Sequence, residues 1–297
     1  MDIAVQEMGH LAIVNNLLVT VGGAPHFARP NLPVASGYHP AGIIARLTPF
    51  DEPTLDHFIF LERPDASTLQ DGQGFTPEVE LQREARAIGL PPSSPDYETV
   101  GEFYSSIRSS LLALSARLGE AALLSDHRGS GQLGPEIIDL PGLTRITDLG
   151  SALSAIDMVV EEGEGSASES HDSHFARFSA IKHEWTELKA LNPAFQPAHP
   201  AAYDPVMRKP ADIRERTWIT DTRAVEHLDL ASALYGQVLV MLVQAYTPGA
   251  GEELRRALVT AAISLMQALT VLGMRSCGFL RDRITKRQGR NDVCRST

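Results

Sequence analysis

The sequence predicts an all-α fold. Several segments carry apolar residues at alternating steps of three and four, which places those residues on one face of a helix. No segment of useful length alternates apolar and polar residues as a half-buried strand does. Proline-rich stretches separate the helical segments, and their prolines exclude long helices there. We therefore predict amphipathic helices joined by irregular connectors.

The first predicted helix runs from the start of the chain to about Val21, and Gly22-Gly23 provides a stop signal. One seam of this helix carries Glu7 and His10 among aliphatic residues. A carboxylate on a buried seam is costly unless a partner compensates its charge. A Glu-x-x-His pair puts both side chains on one face, about 5–6 Å apart at Cβ. That spacing suits shared metal ligation, as in di-iron carboxylate bundles; an ion pair or a backbone-bonded histidine is the alternative.

A long Pro/Gly-rich insertion follows, over about residues 24–96. One short helix is predicted within it, from Glu52 to Leu61, with Pro53 in its first turn. Connectors of this length in a compact domain are usually functional or disordered. The apolar content of this one favours an ordered cover over the rest of the fold.

Three more helices are predicted in the middle of the chain. The first of them opens at 95–96 and ends near 118, and the second runs from 147–148 to a break at 161–163. The third follows a capping residue, Asp172 or Ser173. His174 heads the apolar stripe of that third helix, so an inward position is expected for its imidazole.

Two strongly apolar helices close the predicted domain, at about Arg223–Tyr246 and Glu252–Met274. The uncharged stretch Ala257–Met274 is long enough to raise the question of a membrane span. Its interspersed Thr, Ser and Gln residues favour packed core helices instead. We predict a single domain over 1–274 and a basic, disordered tail over 275–297, where seven Lys/Arg stand against two Asp.

Composition restricts the class of partner. The net charge of −11 and pI near 5.4 argue against nucleic acid, which would require a basic face. Only two cysteines are present and no secretory leader pattern is visible, which favours a reducing, cytoplasmic location. We expect a small-molecule substrate, no membrane and no nucleic acid. No phosphate-binding glycine loop or nucleophile elbow occurs in the sequence.

Other carboxylates and imidazoles are candidates to complete a site with the Glu-x-x-His pair. They are Glu102, Glu161 and His174, with Glu162 and His171 as alternatives. His174 lies on an apolar stripe, and Glu161 lies at the edge of its helix face. Glu102 falls almost opposite the apolar face of its helix, so periodicity alone predicts a solvated side chain there.

Five separated segments, in the same order, resemble one family. They are Glu7-Met-Gly-His-Leu-Ala-Ile-Val-Asn-Asn-Leu-Leu with Gly22-Gly-Ala-Pro-His-Phe, Val100-Gly-Glu-Phe-Tyr-Ser-Ser-Ile, Val160-Glu-Glu-Gly-Glu-Gly, Ser173-His-Phe-Ala-Arg-Phe and Asp229-Leu-Ala-Ser-Ala-Leu-Tyr-Gly-Gln-Val-Leu. This is the ferritin-like family that includes iminophenyl-pyruvate dimer synthases and the ferritin-like part of the violacein-pathway imine dimer synthase. The resemblance spans roughly residues 1–274 and implies a four-helix metal bundle with two extra apolar helices.

The resemblance implies a metal site with a defined ligand set. Its expected ligands are Glu7, His10, Glu102, Glu161 and His174. Carboxylate and imidazole together suit iron, as a di-iron or mononuclear site, and also manganese. Tyr104 or Tyr97 would be hydrogen-bond donors beside this site, with simple packing as the alternative role.

The family implies an iron-dependent oxidoreductase that activates oxygen or peroxide for a small substrate, such as an aromatic imino acid in secondary metabolism. A non-catalytic ferritin-like module with a structural or interaction role is the alternative, and iron storage is a third. The family pattern also places a glutamate-bearing helix before Glu7, yet only six residues precede it. An uncovered apolar seam is therefore expected, with homo-oligomer formation as its consequence.

Overall fold

The computed structural model describes residues 2–27, 32–34, 42–65, 67–76, 96–125, 130–163, 172–198, 201–211 and 216–293, with only the backbone after Met274. These residues form eight helices and no strand, apart from two isolated bridges. The helices are α1 (Asp2–Thr20), α2 (Glu52–Leu61), α3 (Val100–Leu118), α4 (Glu120–Leu123), α5 (Leu149–Gly163), α6 (His174–Leu191), α7 (Thr222–Ala245) and α8 (Glu252–Val293). The predicted all-α class is confirmed.

Local capping explains where the helices near the site begin. The Asp51 side chain accepts a hydrogen bond from the Thr54 amide at the start of α2. Ser173 does the same for the Ala176 amide, so α6 begins at His174. Such caps satisfy amide groups that have no partner within the helix. Helix α3 begins at Val100, a turn later than the sequence predicted, because its capping side chain belongs to the preceding threonine.

A hydrophobic core holds α1 against α5. Ile13 of α1 is fully buried and packs in one cluster with Ala152 and Ala155 of α5. Beside this cluster Asn16 is also fully buried, and its amide nitrogen donates to the carbonyl groups of Leu133 and Thr144. These bonds prevent α1 from rotating, because rotation would leave buried polar groups unsatisfied. Helix α1 therefore presents a fixed face to the site.

Helices α7 and α8 pack against each other as a hairpin. Arg255 of α8 is 2% exposed and donates hydrogen bonds to backbone carbonyl groups that include those of Gln132 and Ser130, which attach the hairpin turn to the core. By length and composition alone, α7 and Glu252–Met274 are apolar enough to cross a membrane, and only 11% of each apolar stretch is buried. The sequence predicted packed core helices, whereas much of the hairpin surface is exposed.

The backbone of α8 continues to Val293, although the sequence pattern predicted an end at Met274 and a disordered tail. No proline occurs after Met274, and arginine and lysine are favourable helix formers. These two properties allow the helix to continue even though its apolar periodicity has ended.

Candidate metal centre

Glu7 and His10 lie one turn apart on α1, as the sequence predicted. Oε2 of Glu7 is 3.6 Å from Nδ1 of His10. The His10 side chain is 9% exposed, whereas that of Glu7 is 51% exposed. The glutamate therefore lies at the rim of the site and the imidazole lies beneath it.

His174 joins this pair from the first turn of α6. Its side chain is fully buried, and its Nδ1 is 3.1 Å from Oε1 of Glu7. The His174 and His10 ring centroids are 5.6 Å apart. The carboxylate of Glu7 thus faces an imidazole with each of its two oxygens, which brings together three of the five predicted site residues.

Glu62 also belongs to this cluster, although it is not among the ligands predicted from the sequence. It is the C-cap residue directly after α2, and its Oε1 lies 3.7 Å from Nδ1 of His174. One ligand-type atom from each of Glu7, Glu62 and His174 lies within 4.8 Å of the other two. The only signal in the sequence was its position directly after the short helix predicted within the Pro-rich insertion.

Glu162, the alternative to Glu161, is the residue of α5 that reaches the site. Its Oε2 lies 2.9 Å from Nε2 of His10, while Glu161 is exposed. Adjacent residues on a helix point about 100° apart, so only one of them can face the core. The neighbouring Gly163 is buried, and a Cβ there would lie 3.1 Å from Oε2 of Glu62.

Glu102 lies apart from the cluster, and its ligand role stays a prediction. Its Oε2 accepts a hydrogen bond from the Glu98 amide, and its own amide donates to Oγ1 of Thr99. Together these bonds resemble a capping box, which needs a glutamate near the start of a helix. Glu102 is exposed, as its opposition to the apolar face suggested. His171 lies outside the described residues.

The two predicted tyrosines differ in their relation to the site. Tyr97 hydrogen-bonds to Ser106. Tyr104 packs against the core between α1 and α5. Burial raises the pKa of Tyr104 to about 12, and the negative charges of Glu7 and Glu62 add to that rise. Tyr104 is therefore a neutral phenol at physiological pH, and it lies close enough to both carboxylates to interact with them electrostatically.

The charges of the cluster favour the ionised forms of Glu7 and His174. Burial disfavours the Glu7 carboxylate, but its interactions with His10 and His174 outweigh burial and lower its pKa to about 2. Burial likewise disfavours protonated His174, but Glu62 and Glu7 outweigh it and raise the pKa to about 9. The pKa of His10 is raised in the same way by Glu7 and Glu162. In the metal-free protein the protonated His174 imidazole therefore balances the charge of the Glu7 carboxylate.

The donor set fits a transition metal ion. Nδ1 of His174 is buried, and no hydrogen-bond partner meets it with suitable geometry among the described residues. A buried polar atom that lacks a well-aligned hydrogen bond is costly. Nδ1 of His174 points toward two carboxylates, Glu7 and Glu62, that would also be metal ligands. Imidazole and carboxylate ligands suit Fe²⁺ or Mn²⁺, and the three ligand-type residues of this cluster include no thiolate that would favour a softer metal.

Comparison with known proteins places this geometry in a family. A family model described as ferritin-like matches residues 1–183, which is more than half of the chain. The chain belongs to the ferritin-like family. The predicted resemblance is thus confirmed, and every residue of the cluster lies within the matched part. Helix α7 and helix α8 lie outside it.

Two curated proteins resemble this ferritin-like chain over most of its length. The 2-imino-3-(indol-3-yl)propanoate dimerase of Chromobacterium violaceum is 28% identical over 281 residues, covering 91% of this chain and 24% of that protein. The dichlorochromopyrrolate synthase of Lentzea aerocolonigenes is 27% identical over 282 residues, covering 90% of this chain and 26% of that protein. The chain therefore spans about a quarter of the length of each relative. No solved structure matches it.

Proposed function

We propose that this protein is an iron-dependent oxidoreductase that acts on a small substrate. The observation that carries the proposal is the convergence of Glu7, Glu62 and His174 within 4.8 Å at a buried imidazole nitrogen. Iron bound there would supply redox chemistry toward oxygen or peroxide, and manganese is the other metal that this donor set suits. Glu7, Glu62 and His174 would hold the metal, either alone or as part of a pair of metal ions.

The remaining residues of the cluster would support that metal. His10 directs Nδ1 toward Glu7, and the Glu162 carboxylate accepts a hydrogen bond at the opposite ring nitrogen. A carboxylate behind an imidazole fixes the orientation of the ring and raises its basicity. The neutral Tyr104 phenol is able to donate a proton or a hydrogen bond near the carboxylates, and its burial limits access by bulk water.

The relatives supply the proposed class of substrate. One of them is named for 2-imino-3-(indol-3-yl)propanoate and the other for dichlorochromopyrrolate synthesis. We extend an aromatic 2-imino acid to this chain as its substrate, in secondary metabolism. This extension rests on sequence similarity, while the metal role rests on the cluster itself.

An oxygen- and peroxide-dependent turnover assay tests the proposed function. The iron-loaded protein would be mixed with 2-imino-3-(indol-3-yl)propanoate, and substrate loss and products would be followed by mass spectrometry. We expect turnover in the parent and in Glu161→Ala, and loss of turnover in Glu7→Ala. Equal rates in Glu7→Ala and the parent would contradict the proposal.

The ion pairs within the cluster favour a second candidate, a non-catalytic ferritin-like module. Glu7 and Glu162 already neutralise His174 and His10, so the cluster is able to join α1, α5 and α6 without metal. In that case Glu7→Ala would lower the thermal stability of the metal-free protein, and iron would not restore the difference. Under the enzymatic proposal, added iron raises the melting temperature of the parent far more than that of Glu7→Ala.

A further inference from the structure

Gln6 precedes the central glutamate of the cluster, and its role is not explained by ligation. Its Oε1 lies 3.3 Å from Nε2 of His174. The other nitrogen of the same ring, Nδ1, faces the carboxylates of Glu7 and Glu62. The two edges of the imidazole therefore meet two different kinds of group.

The chemistry of an amide oxygen determines which proton His174 retains. A carbonyl oxygen only accepts hydrogen bonds, so the Nε2 atom facing Gln6 must carry a hydrogen. A neutral imidazole has one N–H group, and its other nitrogen is then a lone-pair donor. The carboxylates facing Nδ1 are acceptors as well, so a metal ion at Nδ1 takes the place of a hydrogen there, while Gln6 accepts the hydrogen that stays on Nε2.

His10 has the same arrangement with a different supporting group. Its Nδ1 faces Glu7, and its Nε2 lies 2.9 Å from Oε2 of Glu162. Both imidazoles thus direct Nδ1 toward the Glu7 carboxylate and have a side-chain oxygen at Nε2. A charged carboxylate supports His10, whereas a neutral amide supports His174.

We propose that Gln6 is a positioning residue that selects Nδ1 of His174 as its metal-binding nitrogen. This inference rests on the proposed metal site but concerns a residue outside the ligand set. Acceptors of this kind fix the tautomer and the plane of a ligating histidine, and their removal typically weakens metal binding about 10–100-fold. Removing the Gln6 acceptor should therefore reduce metal affinity and leave the fold intact.

Metal titration gives the first test. Mn²⁺ would be titrated into the parent, Gln6→Leu, Gln6→Glu and the control Gln237→Leu, in which an exposed glutamine on α7 is changed. We expect about 10–100-fold weaker binding for Gln6→Leu, and binding at least as tight as the parent for Gln6→Glu, because its carboxylate also accepts from Nε2. Binding by Gln6→Leu within twofold of the parent would overturn the inference.

Nitrogen NMR of the protein loaded with diamagnetic Zn²⁺ gives a second test, which identifies the nitrogen that binds metal and does not depend on the affinity. With ¹⁵N-labelled histidine, the His174 signals should report protonated Nε2 and metal-bound Nδ1 in the parent. Gln6→Leu should lose that preference, and Gln6→Glu should restore it. A protonated Nδ1 in the parent, or an unchanged tautomer in Gln6→Leu, would overturn the inference. A parent that binds Zn²⁺ with the expected tautomer but binds neither Mn²⁺ nor Fe²⁺ would instead refute the proposed function.

Discussion

At the scale of single residues, Glu7 is the centre of the site. Its two carboxylate oxygens lie 3.1 Å from Nδ1 of His174 and 3.6 Å from Nδ1 of His10. The Glu-x-x-His spacing predicted the contact between Glu7 and His10, because both residues share one helix face. The contact with His174 was expected only from the position of that histidine on an apolar stripe.

Two adjacent glutamates near the end of α5, Glu161 and Glu162, give a matched pair of variants. Glu162→Ala should weaken Mn²⁺ or Fe²⁺ binding measurably, because His10, which contacts the Glu7 ligand, loses the carboxylate that orients it. Glu161→Ala removes a carboxylate one position away that is exposed. Calorimetric titration of both variants checks the assignment. Equal affinities in the two variants, or the reverse order, would contradict it.

Metal binding should depend on pH in a defined direction. The pKa of His174 is raised to about 9 in the metal-free protein, so near neutral pH a metal ion must displace its proton. Apparent metal affinity should therefore rise with pH up to that pKa and then level off. Calorimetry in buffers of different ionisation enthalpy would count the released protons. An affinity that falls between neutral pH and about pH 9 would contradict this protonation state.

At the scale of helices, the site depends on four element ends or faces. Helix α1 contributes one face, α2 its end, α5 its last turn and α6 its first turn. The helices themselves could be predicted, since periodicity and capping residues define them locally. The site role of Glu62 could not be predicted, because this residue caps a short helix inside the Pro-rich insertion. Its approach to His174 depends on tertiary packing of α2 against α6, which a single sequence does not reveal.

Glu102 illustrates the opposite case. Family resemblance assigned it as a ligand, while its position opposite the apolar face of α3 predicted a solvated side chain. In the structure Glu102 is exposed and takes part in capping α3. Local periodicity was therefore the better guide to where this side chain lies.

Gly163 at the end of α5 provides a test of close packing at the site. A Cβ there would lie 3.1 Å from Oε2 of Glu62, so the ligand side chain would have to move. Gly163→Ala should lower metal affinity several-fold. Alanine also has the better helix propensity, which should add up to about 1 kcal/mol to the free energy of unfolding and so offset the cost of the close contact. Denaturant unfolding and metal titration separate the two effects. Unchanged metal affinity would show that Glu62 does not depend on this space.

At the scale of the whole molecule, the α7–α8 hairpin carries several exposed apolar side chains. Leu230, Val240 and Val243 of α7 are each more than 40% exposed. Contiguous apolar surface on a folded protein favours association. The sequence predicted two packed core helices here, whereas the structure leaves apolar side chains of both helices exposed.

Self-association through this hairpin is the expected consequence. Val240→Lys should shift the protein toward monomer, since a charge on the apolar face opposes burial. His183→Lys, at an exposed position on α6, should have no such effect. Sedimentation equilibrium would compare both variants with the parent. A parent that is already monomeric at high concentration would refute association by this surface.

The measurement that tests the metal centre most directly is iron content per chain after anaerobic loading, for the parent, Glu62→Ala and Glu161→Ala. Glu62 is the informative residue because one of its carboxylate oxygens lies within 4.8 Å of a ligand-type atom of both Glu7 and His174. No spacing in the sequence indicated that Glu62 belongs to the site. We predict stoichiometric iron in the parent and in Glu161→Ala, and a large loss in Glu62→Ala. A parent without iron, or a Glu62→Ala protein that retains it in full, would contradict the assignment of this metal centre.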